Sequence, residues 1–179
     1  MNERSIFHLI SDLTHKEGIP CILIGGFAVN YYRVTRQTAD IDFLITKKDF
    51  DRISAILIKA GYKPSLTQET FAQMKSSQLS LLDVDFMFVE HETLEKILKE
   101  GEEIKIAGQK FTVPSLYHLI ALKLHSIKYN QKIRFSRDFP DIINLIRINE
   151  VDIEDKKFKE ICLTYGTEKI YDQIVEIVK

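Results

Sequence analysis

Apolar residues recur at helical spacing from residue 3 to 16, where Ile6, Phe7, Ile10 and Leu13 share one stripe, and this pattern predicts a helix. The apolar run Cys21-Ile22-Leu23-Ile24 predicts a short strand that stops at Gly25-Gly26, followed by a helical stretch from Phe27 to Tyr32. Residues 40 to 45, Asp-Ile-Asp-Phe-Leu-Ile, predict a second strand. Thr46-Lys47-Lys48-Asp49 has the form of a capping box and opens a helix that ends at Gly61. The pattern is β-like from Phe71 to Val89, most clearly from Leu81 to Val89. His91 reads as a helix-start residue, and the helix over Glu92–Glu100 closes at Gly101. Ile104-Lys105-Ile106 and Phe111-Thr112-Val113 flank a turn at Gly108 and predict a small hairpin.

Past Pro114 the periodicity is helical only, over residues 115 to 178. The expected organisation is an α/β core over residues 1–113 and a helical lobe over 114–179. No Pro/Gly/Ser-rich linker divides them, which predicts one rigid unit.

Composition narrows the class. The 179 residues are 45% hydrophobic and 28% charged, values of an ordinary globular chain that exclude a disordered one. The longest apolar runs fall far short of the roughly 20 residues of a membrane span, so no membrane partner is expected. The first residues lead into a charged helical pattern rather than a signal peptide, and a cytoplasmic location is expected. Cys21 and Cys162 sit among apolar residues without C-x-x-C spacing and read as buried, reduced thiols. The net charge of −1 supplies no global field, so a polyanion would have to meet a local patch.

Chemistry concentrates at two strands. Side chains alternate along a strand, so Asp40 and Asp42 face one way while Ile41, Phe43 and Ile45 face a core. Aspartate is depleted in strands, and two like charges on one face repel. A divalent cation reverses that cost, since Mg²⁺ is held by one or two carboxylates plus substrate phosphates. Asp83 and Asp85 repeat the pattern in Leu82-Asp83-Val84-Asp85-Phe86. If the two strands are neighbours, a third carboxylate joins the first pair. Gly25-Gly26 lies between strand and helix, where glycine lets the backbone approach a phosphate. Each feature alone has an ordinary reading as a tight turn or a solvated edge; their order along the chain carries the functional one.

That order resembles the nucleotidyltransferase superfamily of the DNA polymerase β type: a strand ending in Gly25-Gly26, then Asp40-x-Asp42, then Asp85 on a later strand. Arg36-x-Thr38-x-Asp40-x-Asp42 resembles its AbiEii branch, the toxin-like enzymes that include the MenT proteins. So do Leu119-Ile120-Ala121-Leu122-Lys123-Leu124 after Pro114-Ser115, and Arg134-x-x-Arg137-Asp138-x-x-Asp141-Ile142, although Arg137 stands where lysine is usual. The resemblance implies a mixed sheet flanked by helices with a C-terminal helical lobe. It also implies Mg²⁺- or Mn²⁺-dependent transfer of a nucleoside monophosphate from an NTP to a hydroxyl acceptor such as RNA or a protein, and a cognate antitoxin. Asp40, Asp42 and Asp85 would be catalytic and metal-binding, with Asp83 in reserve. Gly25, Gly26, Arg36, Lys123 and Asp138 would bind nucleotide. Val34-Thr35-Arg36 also fits the aminoglycoside- and lincosamide-modifying adenylyltransferases, an alternative in the same chemistry. A nucleotide-binding module without turnover is a third reading.

Two late features stand on pattern as well. Lys123 falls on the apolar stripe Leu116, Ile120, Leu124 and Ile127, so its charge must snorkel to water or meet an anion. Asp138 is expected in the first turn of a helix capped by Ser136, bordering its inner face. Residues 121 to 137 hold Lys123, Lys128, Lys132, Arg134 and Arg137 with no acidic residue, a landing strip for RNA or a nucleotide.

Overall fold

The computed structural model describes residues 5–78 and 81–179. The chain divides into two compact units. One comprises residues up to Phe27 together with Gln37–Pro114, and the other comprises Ala28–Arg36 together with Ser115–Lys179.

The first unit is built on a five-stranded mixed sheet. Its strands are β1 (Ile22–Ile24), β2 (Asp40–Ile45), β3 (Tyr62–Thr67), β4 (Phe71–Ser76) and β5 (Asp83–Phe88), in the order β1-β2-β5-β4-β3. β2 and β5 run parallel and every other pair is antiparallel. α1 (Ile6–Glu17), α3 (Lys47–Lys59) and α4 (His91–Lys99) belong to this unit, with a separate hairpin of β6 (Glu102–Ile106) and β7 (Gln109–Val113). α2 (Gly25–Tyr31) starts in the first unit and ends in the second.

The alternation in β2 and β5 decides which face is core. Ile41, Phe43, Ile45, Val84 and Phe86 are fully buried, and Phe43 stacks on Phe86 at 6.0 Å between ring centres. Phe50 of α3 meets Phe86 and Phe88 at 5.2 and 5.0 Å, which closes α3 over that face. Phe111 of β7 adds a ring 5.9 Å from Phe43, and Phe7 of α1 packs edge-on against Phe111 at 5.7 Å. Thr46 caps α3 as its sequence predicts, accepting from the Asp49 N–H at 3.1 Å while its hydroxyl donates to the Asp49 carboxylate at 2.8 Å.

The second unit carries α5 (Leu116–Tyr129), α6 (Gln131–Ile148), α7 (Lys156–Tyr165) and α8 (Glu168–Val178). Residues 28–36 are fastened within it by main-chain acceptors: Arg33 donates to the Ile148 carbonyl at 3.3 Å, and Asn149 donates to that of Tyr32 at 3.0 Å. Among the described residues no helix is long and apolar enough to cross a membrane.

Several expectations shift. The first helix runs Ile6–Glu17, and its expected first residues, 3 and 4, lie outside the described residues. The β-like stretch from 71 to 89 resolves into β4 and β5, with residues 79 and 80 outside the described residues. β3 has no counterpart in the sequence pattern, because Pro64 interrupts it and all but Tyr62 of its side chains are exposed. A strand at the sheet edge tolerates both, since one row of its amides has no ladder to join. Ser136 caps nothing. α6 begins at Gln131 and takes Pro140 into its interior, which puts Asp138 in mid-helix rather than in the first turn. Both cysteines are free, but only Cys162 is fully buried; Cys21 is partly exposed, although burial raises both thiols to about 12.

Candidate active site

The carboxylates come together on the sheet face opposite the aromatic core. Parallel pairing of β2 with β5 sets Asp40 beside Asp83 and Asp42 beside Asp85 in register. All four are half-buried, each alternating with a buried apolar neighbour. On the far side of β5, β4 sets Gln73 in register with Asp85, and the Gln73 amide donates to the Asp85 carboxylate at 3.0 Å. Asp83 is engaged differently, accepting the Ser76 backbone N–H at 3.0 Å. Tyr62, buried below, donates its hydroxyl to the Leu82 carbonyl at 3.0 Å. Burial first, then the Asp83 charge, pushes its phenol to about 12, so it stays a donor. A cavity of about 150 Å³ opens along this face, lined by Asp40, Asp83 and Asp85 with Gln73 and Lys75.

The Gly-Gly turn belongs to the same place. β1 pairs Ile24 with Asp42, which brings the following Gly25 against that aspartate. Gly25 has φ +64°, and a Cβ there would run into the Asp42 carboxylate and come within 2.9 Å of the Asp42 Cβ. A Cβ on Gly26 would sit 2.7 Å from Thr38 Cβ. Both positions therefore require glycine, one for its left-handed backbone and both for close approach. Thr38 in turn reaches the Asp40 main-chain oxygen at 2.9 Å and the Asp40 carboxylate at 3.0 Å. Gly25, Gly26, Asp40, Asp42 and Asp85 thus form one group within the first unit.

This donor set is the kind that hard cations take. Mg²⁺ and Mn²⁺ prefer oxygen ligands, and Mg²⁺ usually keeps several positions for water and substrate phosphate. Among the described residues no three His, Cys, Asp or Glu side chains form a ready-made ligand cluster. The in-register carboxylates fit an ion that arrives with a nucleotide better than one caged by protein alone.

Arg36, Lys123 and Asp138 form a second group, within the helical unit. The Lys123 ammonium donates to Asp138 at 2.9 Å and to Asp141 at 2.7 Å, and Arg36 pairs with Asp141 through the same carboxylate oxygen. Lys123, Asp138 and Asp141 are only 5%, 5% and 7% exposed, so this is a buried ionic group with two cations balancing two anions. Lys123 does meet anions, but they are protein carboxylates. Asp141, not assigned a role from the sequence, is the residue that joins the two cations. The spacing of Asp138 and Asp141, three apart on one helix face opposite a lysine on an apolar stripe, was the available signal. Gln73 carried no such signal, because its role depends on β4 pairing with β5.

No curated protein matches the chain. Its fold is similar to that of the antibiotic-resistance factor ANT(2″)-Ia, with a TM-score of 0.58 at 17% identity over 95% of this chain and 88% of that one. An antigenic nucleotidyltransferase-like protein from Paracoccidioides brasiliensis gives 0.56 at 16% identity, covering 94% and 89% of the two chains. The lincosamide antibiotic adenylyltransferase LnuA gives 0.55 at 17% identity, covering 83% and 98%. These likenesses establish the mixed sheet flanked by helices as a nucleotidyltransferase fold. A family model matches residues 4–179, nearly the whole chain, and by that match the protein belongs to the family described as uncharacterised nucleotidyltransferases.

Proposed function

We propose that this nucleotidyltransferase moves a nucleoside monophosphate from an NTP to a hydroxyl acceptor and releases pyrophosphate. The observation that carries the reading is the in-register pair Asp42 and Asp85 on parallel neighbouring strands, with the Gly25 backbone against Asp42. Asp40, Asp42 and Asp85 would hold Mg²⁺ or Mn²⁺, which when bound neutralises charge on the triphosphate. The Gly25 and Gly26 backbone would lie along the phosphates, beside the Asp42 carboxylate that packs against Gly25. Asp85 would accept the proton of the attacking hydroxyl as its oxygen bonds to the α-phosphorus and the bond to the β-phosphate oxygen breaks. The Gln73 amide donates to one Asp85 oxygen and so orients the carboxylate on the sheet face. Arg36 and Lys123 would bind phosphate only where its oxygens displace the Asp138 and Asp141 carboxylates that now hold them, and Asp138 would then serve to position Lys123 rather than touch phosphate.

Asp85 stands in register with Asp42, against which the glycine turn lies, whereas Asp83 stands beside Asp40 at the strand start, so Asp85 is the better third carboxylate. Asp85→Asn should therefore abolish pyrophosphate release from mixed NTPs, and Asp83→Asn should lower it only a few-fold. The reverse ranking would move the third carboxylate to Asp83.

The acceptor we favour is RNA or protein, in a toxin-like enzyme of a toxin–antitoxin or abortive-infection system with its own antitoxin. This finer reading rests on the AbiEii-like spacing of Arg36-x-Thr38-x-Asp40-x-Asp42 and on the Lys123 and Asp138 blocks. A small hydroxylated antibiotic is the second reading. It is kept because ANT(2″)-Ia and LnuA, an antibiotic-resistance factor and a lincosamide adenylyltransferase, match most of this chain. One assay separates the two: pyrophosphate release with bulk RNA, tobramycin or lincomycin as the added acceptor. Stimulation by RNA alone is expected, and stimulation by an antibiotic alone would replace the first reading with the second.

A further inference from the structure

The end of α5 and the start of α6 expose a group of cations that the ionic group inside the helical unit does not use. Lys123 is taken by Asp138 and Asp141, but Lys128, Lys132, Arg134 and Arg137 form no salt bridge among the described residues. Lys128 donates only to the Thr164 carbonyl at 3.2 Å, and Lys132 and Arg137 are exposed. No Asp or Glu occurs from residue 121 to 137, although the whole chain carries 26 acidic residues against 25 basic ones. The cations are therefore concentrated here rather than typical of the surface. The His125 imidazole is held below its usual range by burial and then by the Lys128 charge.

Apolar exposure peaks at the same place. Tyr129 is 73% exposed and Ile133 is 63% exposed, more than any other large hydrophobic residue described. The His125 and Tyr129 rings lie 4.6 Å apart, which steadies the tyrosine as a platform. A largely exposed aromatic ring among cations without salt bridges suits a ligand with a charged backbone and flat apolar groups. Single-stranded nucleic acid has both, and base stacking on such a ring is tolerant of sequence. A lipid surface would instead need a broader apolar face than two side chains supply.

We infer that His125, Lys128, Tyr129, Lys132 and Ile133 form a binding surface for single-stranded RNA, which brings a ribose hydroxyl to the enzyme as acceptor. The acceptor role rests on the nucleotidyl transfer proposed above; the binding itself does not.

The test is fluorescence anisotropy of a labelled single-stranded RNA of roughly 12 nucleotides, within the site sizes such surfaces cover. The parent protein is compared with Lys128→Gln/Lys132→Gln, with Tyr129→Ala, and with Lys16→Gln/Lys156→Gln, which removes exposed lysines elsewhere. Unchanged circular dichroism and thermal midpoints confirm that each variant is folded. Loss of Lys128 and Lys132 should weaken binding about tenfold at about 100 mM salt and flatten the log–log salt dependence by about 1.4. Tyr129→Ala should weaken it about fivefold or more. Equal weakening by the Lys16/Lys156 variant, or an unaltered salt slope, would overturn the surface. So would binding of anionic phosphatidylglycerol vesicles, but not RNA, through Lys128 and Lys132. Pyrophosphate release from NTP with this RNA tests the acceptor role. RNA binding as expected, with release only from a small acceptor, would overturn RNA as acceptor. RNA binding with no release from any acceptor would leave the surface standing and sink the transfer reaction.

Discussion

Asp42→Asn is expected to lower pyrophosphate release by roughly a thousandfold, the upper range for removing one preorganised electrostatic contact at a reacting centre. The fold should survive. Asparagine has the shape of aspartate, so the close approach of Gly25 is undisturbed. The change also removes one of two like charges in register on adjoining strands, and like charges directly opposite are destabilising. The thermal midpoint should therefore hold or rise while turnover disappears, a separation that general damage to the protein would not produce. Calorimetric titration with NTP supplies an independent measure: Mg²⁺ should strengthen binding to the parent and have little effect on Asp42→Asn. Turnover within about tenfold of the parent would remove Asp42 from the reaction.

Lys123→Met should destabilise the protein by about 3–5 kcal/mol, the usual cost of breaking a buried ion pair by deleting one partner. Methionine keeps the apolar stem and leaves Asp138 facing Asp141 with only Arg36 to offset two buried carboxylates. A lysine that merely snorkelled, or waited unpaired for phosphate, would behave oppositely: its loss would leave stability unchanged or improved, as the helix pattern alone suggests. The decisive companion is Lys123→Met/Asp138→Leu. It removes one cation and one anion together and keeps the Arg36–Asp141 pair, so most of the lost stability should return. Chemical denaturation of the three proteins measures this. A single variant as stable as the parent would show that the two carboxylates do not depend on Lys123.

What the sequence showed of the site was its strand chemistry. Asp40-x-Asp42 and Asp83-x-Asp85 revealed shared faces because strand periodicity is short and local. Which aspartate stands beside which is a matter of register between strands some forty residues apart, and only the pairing of β2 with β5 answers it. Gln73 was invisible for the same reason. β3 carries no pattern because an exposed edge strand needs no apolar alternation, and the sequence places the entrance of α6 too late because Ser136 looks like an N-cap just ahead of Asp138. In the helix, Pro140 lacks the N–H that would meet the Ser136 carbonyl, and the exposed position of Ser136 lets water take that bond instead. Lys123 was correctly placed on an inward face, but the identity of its anion required the third dimension.

The fastening of residues 28–36 has a consequence for synthesis. Arg36 waits for Asp141, Arg33 for Ile148 and Tyr32 for Asn149, across separations of 105, 115 and 117 residues. At translation rates of about 5–20 residues per second, those partners trail by roughly 5 to 25 s. During that interval the glycine turn and the first aspartate pair have been translated, while the stretch between them has only local hydrogen bonds, such as those between Asn30 and Arg36. A nascent or prematurely ended chain stopping at Pro114 would carry both motifs and still lack Asp141, Ile148 and Asn149, the distant partners of the segment joining them.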